Sequence, residues 1–153
     1  MFNRILVVCT GNICRSPMGE GLLRKALSSN LDSQDKAVLS AGLSALVGYP
    51  ADEQAQRLMI EHGVDISDHR ARQIDIDIIN WAELILVMER EQKLILELDY
   101  PSSRGKVFRM GKWGGFDVPD PYHQSNEMFE LAFDLIAKGV SDWEIKLGEG
   151  AIK

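Results

Sequence analysis

Val8-Cys9-Thr10-Gly11-Asn12-Ile13-Cys14-Arg15-Ser16-Pro17 is the stretch on which the reading of the whole chain turns. Upstream of it, Arg4 to Cys9 is a continuous β-branched and apolar run, the mark of a strand buried on both faces. Downstream, Pro17 suits the first position of a helix, with Ser16 before it as cap. Met18 to Leu27 then carries apolar residues at helical spacing. The stretch is therefore a loop between a buried strand and a helix. In α/β sheets, ligands bind at the carboxyl ends of strands, where such a loop sits.

The rest of the chain repeats this alternation. Ala37 to Ala41, Leu84 to Met88 and Lys106 to Met110 read as further strands. Asp52 to His62 is a helix that starts on Asp52 and stops at Gly63. Glu89 to Leu98 is helical, and Phe129, Phe133, Ile136, Val140, Trp143 and Leu147 mark a long amphipathic helix after Ser125. Gly111 to His123, rich in Gly, Pro and aromatics, is an ordered loop. The expected fold is α/β: one three-layer domain over residues 1–153, a parallel sheet of about four strands with helices on both faces.

Composition narrows the function classes. A chain of 153 residues can bury a core without staples. Its formal charge of −6 argues against a general nucleic-acid binder, yet backbone N–H groups can still bind phosphate on an acidic protein. The two cysteines, Cys9 and Cys14, lie too close for a disulfide framework, which points to a reducing, cytoplasmic compartment. The apolar run Ile5 to Val8 is too short for a signal segment or a membrane span. No pair of histidines has metal-ligand spacing, and neither a metal nor a cofactor is expected.

A loop curling from Cys9 to Ser16 aims several N–H groups at one point, and the helix behind it adds the positive end of a dipole. Such a nest fits a phosphoryl dianion. Cys9 lies at its bottom, where the same donors favour thiolate over thiol. Arg15 returns to the rim, and its planar fork can hold two phosphate oxygens at once. A cysteine ending a buried strand is usually a small core residue. Here the Cys-x5-Arg spacing comes with Gly11, Asn12 and a strand–loop–helix context, which favours a nucleophile. Cys14 has two open readings: inert filler of the loop wall, or a partner for Cys9 in a reversible disulfide under oxidation.

The first step of such chemistry needs a general acid. Asp120, flanked by Pro119 and Pro121, is the best candidate, since it follows the fourth strand at the same sheet edge. The competing reading is a residue that caps a turn. Tyr122 either walls an aromatic substrate or packs against its own loop. His62, His69 and His123 carry no pattern of their own.

The cysteine loop, Asp120-Pro121-Tyr122 and their separation resemble the low-molecular-weight protein tyrosine phosphatases, over essentially the whole chain. Ser40-Ala41-Gly42, Ala71-Arg72-Gln73-Ile74 and Val87-Met88-Glu89 look like further landmarks of that family. The resemblance implies a phosphocysteine on Cys9, a phosphoryl clamp at Arg15 and proton transfer by Asp120. It implies that Thr10, Gly11, Asn12, Ile13, Cys14 and Ser16 cradle the phosphate. Asn12 would prop the loop and Ser16 would hydrogen-bond the Cys9 sulfur, with Ser40 and His69 supporting Asn12. Tyr122 matches one aromatic wall of the substrate cleft. Leu46 is the nearest match to the other wall, where eukaryotic members carry an aromatic residue. The second tyrosine after the Asp-Pro pair is His123 here. Both departures look like the bacterial branch whose partners are membrane tyrosine autokinases of polysaccharide export. The implied protein is a monomer that meets its phosphotyrosine substrate in the cytoplasm.

Three other readings compete. An arsenate reductase of the same fold needs redox cysteines downstream, and none follows Cys14. A protein-arginine phosphatase tends to carry Thr where this loop has Ile13. A non-catalytic phosphate-binding module would need neither a thiolate nor Asp120.

Overall fold

The structure, a computed structural model, describes residues 2–28 and 36–149. Four strands form one parallel sheet: β1 (Arg4–Cys9), β2 (Ala37–Gly42), β3 (Leu84–Val87) and β4 (Val107–Arg109), in the order β2-β1-β3-β4. Among the described residues five α-helices connect or follow them: α1 (Arg15–Ser28), α2 (Glu53–Glu61), α3 (Ile76–Trp81), α4 (Arg90–Asp99) and α5 (Asn126–Glu149).

The period of two along β1 sorts the core into two halves. Ile5, Val7 and Cys9 pack with Met18 and Leu23 of α1, Met59 of α2 and Phe129, Ile136 and Trp143 of α5. Leu6 and Val8 pack on the other face with Ile78 and Ile79 of α3 and Leu96 of α4. Helices thus cover both faces, and β1 is buried from Ile5 onward.

From β1 the chain crosses to β2 on one side, and β3 lies on the other. The end of β1 is therefore the point where strand order reverses, which opens a crevice at the carboxyl edge. Cys9 is the last residue of β1 and pairs with Gly42 at the end of β2.

The local structure departs from the sequence reading in three places. Helix α1 begins at Arg15 rather than at Pro17, and Ser16 is not its cap. The Ser16 hydroxyl is taken by Cys9 and Asn12 instead, and Pro17 is tolerated because a first-turn residue needs no N–H partner. Helix α3 was not foreseen: six residues are too few to show a period, although the Asp75 carboxylate caps Ile78 N–H at 2.9 Å. Strand β4 is three residues long, shorter than the Lys106 to Met110 stretch read for it, and lies at the sheet edge.

Candidate active site

The carbonyls of the loop after β1 are all held from behind. Cys9, Thr10, Gly11 and Ile13 O accept from the amides of Leu43, Ser44, Leu46 and Asp52 at 2.8–3.1 Å. Asn12 O accepts from His69 Nε2 at 2.6 Å. A carbonyl only accepts, so this contact places a proton on Nε2 of His69. With the carbonyls turned outward, the amides of Gly11 to Cys14 face the opposite way, and none donates to another group among the described residues. The loop is a nest of free donors ahead of the α1 N-terminus.

Asn12 makes the curl possible. Its φ is 59°, in the left-handed region that Asn tolerates better than most residues. Gly42 lets the curl approach β2: a Cβ there would stand 2.6 Å from Thr10 O.

Hydrogen-bond directions around the sulfur follow from groups with only one role. Arg72 N–H donates to Asn12 Oδ1 at 2.8 Å, which leaves Asn12 Nδ2 as a donor. Nδ2 donates to Ser16 Oγ at 2.7 Å and to Ser40 Oγ at 3.0 Å. Ser40 Oγ in turn donates to the Glu20 carboxylate. Ser16 Oγ lies 3.0 Å from Cys9 Sγ, and when Cys9 is a thiolate, which only accepts, Ser16 is the donor. The chain from Arg72 to Cys9 thus delivers a donor to the sulfur.

Arg15 is 1% exposed. Its Nη1 donates to Val118 O at 2.9 Å and to Glu89 Oε2 at 3.0 Å, and its Nη2 lies 3.6 Å from Asp120 Oδ2. Nε has no partner, an orphaned donor among buried polar atoms. The guanidinium therefore ties the acid loop to the cysteine loop and keeps donors in reserve for an anion. Asp120 is 46% exposed at its side chain. Its Oδ1 accepts from Tyr122 N–H at 3.1 Å, so the turn-capping role and the approach to Arg15 coexist in one carboxylate.

These groups share a cavity of about 150 Å³, lined by Cys9, Thr10, Gly11, Ile13, Cys14, Arg15, Ser44, Leu46, Asp120 and Tyr122. That volume admits one aromatic ring. A larger cavity of about 640 Å³ lies between α1 and the segment around Asp65 and His69. It is lined by no cysteine, whereas the smaller cavity brings Cys9, Arg15 and Asp120 together, so the chemistry is assigned to the smaller one.

The structure brings together every residue singled out in the sequence. Leu46 and Tyr122 both line the cavity, and the Tyr122 ring packs against His123 with centroids 3.8 Å apart. Ser40 and His69 stand behind Asn12. Cys14 is buried, and its thiol is pushed far up, first by that burial and then by the Asp52 carboxylate. It therefore remains a thiol at neutral pH.

Sequence reading gave no role to Glu20, Gln92 or the Val118 carbonyl, and none to Arg72 and Glu89 beyond their place in two landmarks of the resembling family. Gln92 Oε1 accepts from Met88 and Glu89 N–H, and its Nε2 reaches Thr10 Oγ1 at 3.3 Å. The spacing Glu89-x-x-Gln92 after a strand was an available signal for a helix start at the site.

Residues 4–151 match the family described as low molecular weight phosphotyrosine protein phosphatase. The chain belongs to this family. It is 48% identical over 143 residues to a probable low molecular weight protein-tyrosine-phosphatase, EpsP, of Ralstonia solanacearum, covering 94% of each. It superposes on Vibrio vulnificus Wzb in complex with benzylphosphonate with a TM-score of 0.89 and 42% identity, covering 95% of this chain and 99% of the other. The YwlE arginine phosphatase of Geobacillus stearothermophilus is also similar, with a TM-score of 0.87 and 30% identity over 96% of this phosphatase-family chain and 94% of the other.

Proposed function

We propose that this chain hydrolyses phosphotyrosine in proteins by a two-step route through a cysteinyl phosphate on Cys9. The observation that carries the reading is the convergence on one cavity of a sulfur that receives a directed hydroxyl proton, a ring of unpaired amides and the Arg15–Asp120 pair.

In the first step the Cys9 thiolate attacks phosphorus and the bond to the phenolic oxygen breaks. Asp120, protonated, gives its proton to the departing phenolate. The loop amides and the Arg15 guanidinium hold the equatorial oxygens, over which charge spreads. In the second step Asp120, now a carboxylate, takes a proton from water as the water oxygen bonds to phosphorus. The P–S bond breaks and phosphate leaves. Ser16 donates to the sulfur as its negative charge returns. Glu89 and Val118 O orient Arg15, and Ser40 and His69 hold Asn12.

Ile13 and Leu46 favour an aryl group over a guanidinium: both are apolar, and both line the cavity. Ile13 offers no hydroxyl to a phosphoarginine. The substrate we infer is a membrane tyrosine autokinase of polysaccharide export, met through its cytoplasmic domain. The reading is supported by the bacterial-branch features Leu46 and His123 and by the likeness to the relatives named EpsP and Wzb. We place the enzyme in the cytoplasm as one phosphatase domain acting as a monomer. No helix among the described residues is long and apolar enough to cross a membrane.

The test compares turnover of a phosphotyrosine peptide and a phosphoarginine peptide of the same sequence. The phosphotyrosine peptide is expected to be hydrolysed and the other spared. Equal or reversed turnover would replace the substrate named here, and the Cys9→Ser protein is expected to hydrolyse neither.

A further inference from the structure

We propose that the cavity adjoining the catalytic one is a subsite for a lysine or arginine flanking the phosphotyrosine, an inference that rests on the phosphotyrosine-protein reading above. This second cavity encloses about 440 Å³. Thr10 and Ser44 line both cavities, so the two share a wall. A polypeptide that seats its phosphotyrosine over Cys9 must lay neighbouring residues across the adjoining surface.

The charge of that surface is one-sided. Glu89, Glu91 and Asp99 line it, and no lysine or arginine does. Glu89 is already engaged with Arg15. Neither Glu91 nor Asp99 has an ion-pair partner among the described residues. Asp99 is the last residue of α4, at the negative end of the helix dipole, where an acid is disfavoured. A carboxylate kept there without a cation loses stability, which an incoming cation would restore.

The walls are as informative as the charges. Ile95, 38% exposed, and Tyr100 line the same cavity beside the two free carboxylates. Lysine and arginine are the side chains that combine an aliphatic stem with a charged head. The stem lies on Ile95 and Tyr100 while the head reaches Glu91 or Asp99. An acidic flank meets like charge in the same place.

The experiment measures kcat/KM for four phosphotyrosine peptides that differ only in the residue beside the phosphotyrosine: Lys, Arg, Ala or Glu. Lys and Arg are expected to exceed Ala by about 1.5- to fivefold at low salt, the scale of exposed ion pairs, with Glu lowest. The spread is expected to shrink at high salt. The Glu91→Gln/Asp99→Asn double variant is expected to lose the preference. It should keep wild-type turnover of p-nitrophenyl phosphate with a Tm close to wild type, since Glu91 in the first turn of α4 and Asp99 in its last act on the helix with opposite sign. A wild-type enzyme indifferent to the flanking charge, or a preference that survives in the double variant, overturns the subsite while leaving the phosphotyrosine reading intact. Turnover of p-nitrophenyl phosphate but of none of the peptides overturns both together.

Discussion

Ser16→Ala removes one oxygen and tests the hydrogen-bond relay that ends on the nucleophile. The hydroxyl accepts from Asn12 Nδ2 at 2.7 Å and stands 3.0 Å from Cys9 Sγ, where a thiolate, which only accepts, makes it the donor. A hydrogen bond to a charged partner contributes about 1.5–3 kcal/mol net. At about 1.4 kcal/mol per tenfold, the rate falls about 10- to 150-fold in the step where charge returns to sulfur. That step is hydrolysis of the cysteinyl phosphate, whereas in the first step charge leaves the sulfur and the loss is partly offset. The variant should therefore accumulate phosphoenzyme. Rapid mixing with p-nitrophenyl phosphate should show a burst of nitrophenol approaching one equivalent per enzyme, followed by slow turnover. Asn12 keeps its bonds to Ser40 and Arg72, so the fold should lose only about 1 kcal/mol. A Ser16→Ala enzyme with wild-type steady-state rate and no burst would refute the relay.

Other perturbations probe separate parts of the site. Asp120→Asn removes the acid, and turnover of phosphotyrosine should fall by about 100-fold or more while that of p-nitrophenyl phosphate falls much less, because nitrophenolate leaves without a proton; equal losses would take Asp120 out of the acid role. Gly42→Ala drives a Cβ to 2.6 Å from the Thr10 carbonyl, so urea unfolding should show a loss of about 1–3 kcal/mol together with reduced activity. An unchanged enzyme would mean that the loop does not rest on β2 as described. For Cys14, burial and the Asp52 carboxylate keep the thiol protonated, and the thiolate is the reactive form. Iodoacetamide at about pH 6 to 9 should leave Cys14 unlabelled in the folded protein and label it after denaturation, read by peptide mass mapping. Labelling of folded Cys14 that rises with pH across that window would contradict the sign of the shift.

The parts of this molecule legible in its sequence are those in which neighbours along the chain decide the outcome. Ile5 to Val8 and Leu84 to Val87 are apolar at every position, which only a strand covered on both faces requires, and both are fully buried. Asp52 caps Gln54 N–H and starts α2 where the sequence placed it. The start of α1 was misread because Ser16 before Pro17 has the form of a cap. Its hydroxyl is instead drawn to Cys9, a contact that no helix rule contains. Of the site, Cys9, Arg15 and Asp120 were legible from spacing and residue type. What orients them was not: Arg15 meets Glu89 across 74 residues and Val118 O across 103. A backbone carbonyl leaves no trace in side-chain identity, and Glu89, although part of a family landmark and the start of a helix, shows nothing in the sequence of its bond to Arg15. Glu20 likewise reads as one polar residue on α1 until the fold sets it against Ser40.

The direct measurement of the central claim is a rapid-quench experiment with a phosphotyrosine peptide radiolabelled on phosphorus. The Ser16→Ala protein, in which the second step is slowed, is mixed with peptide, denatured and digested. The account predicts protein-bound label approaching one equivalent per protein, stable at alkaline pH and released in mild acid as a P–S bond requires, confined to the peptide that contains Cys9 and absent when Asp120→Asn is combined with Cys9→Ser. Label on any other residue, or phosphate released with no protein-bound label at any time, would contradict it.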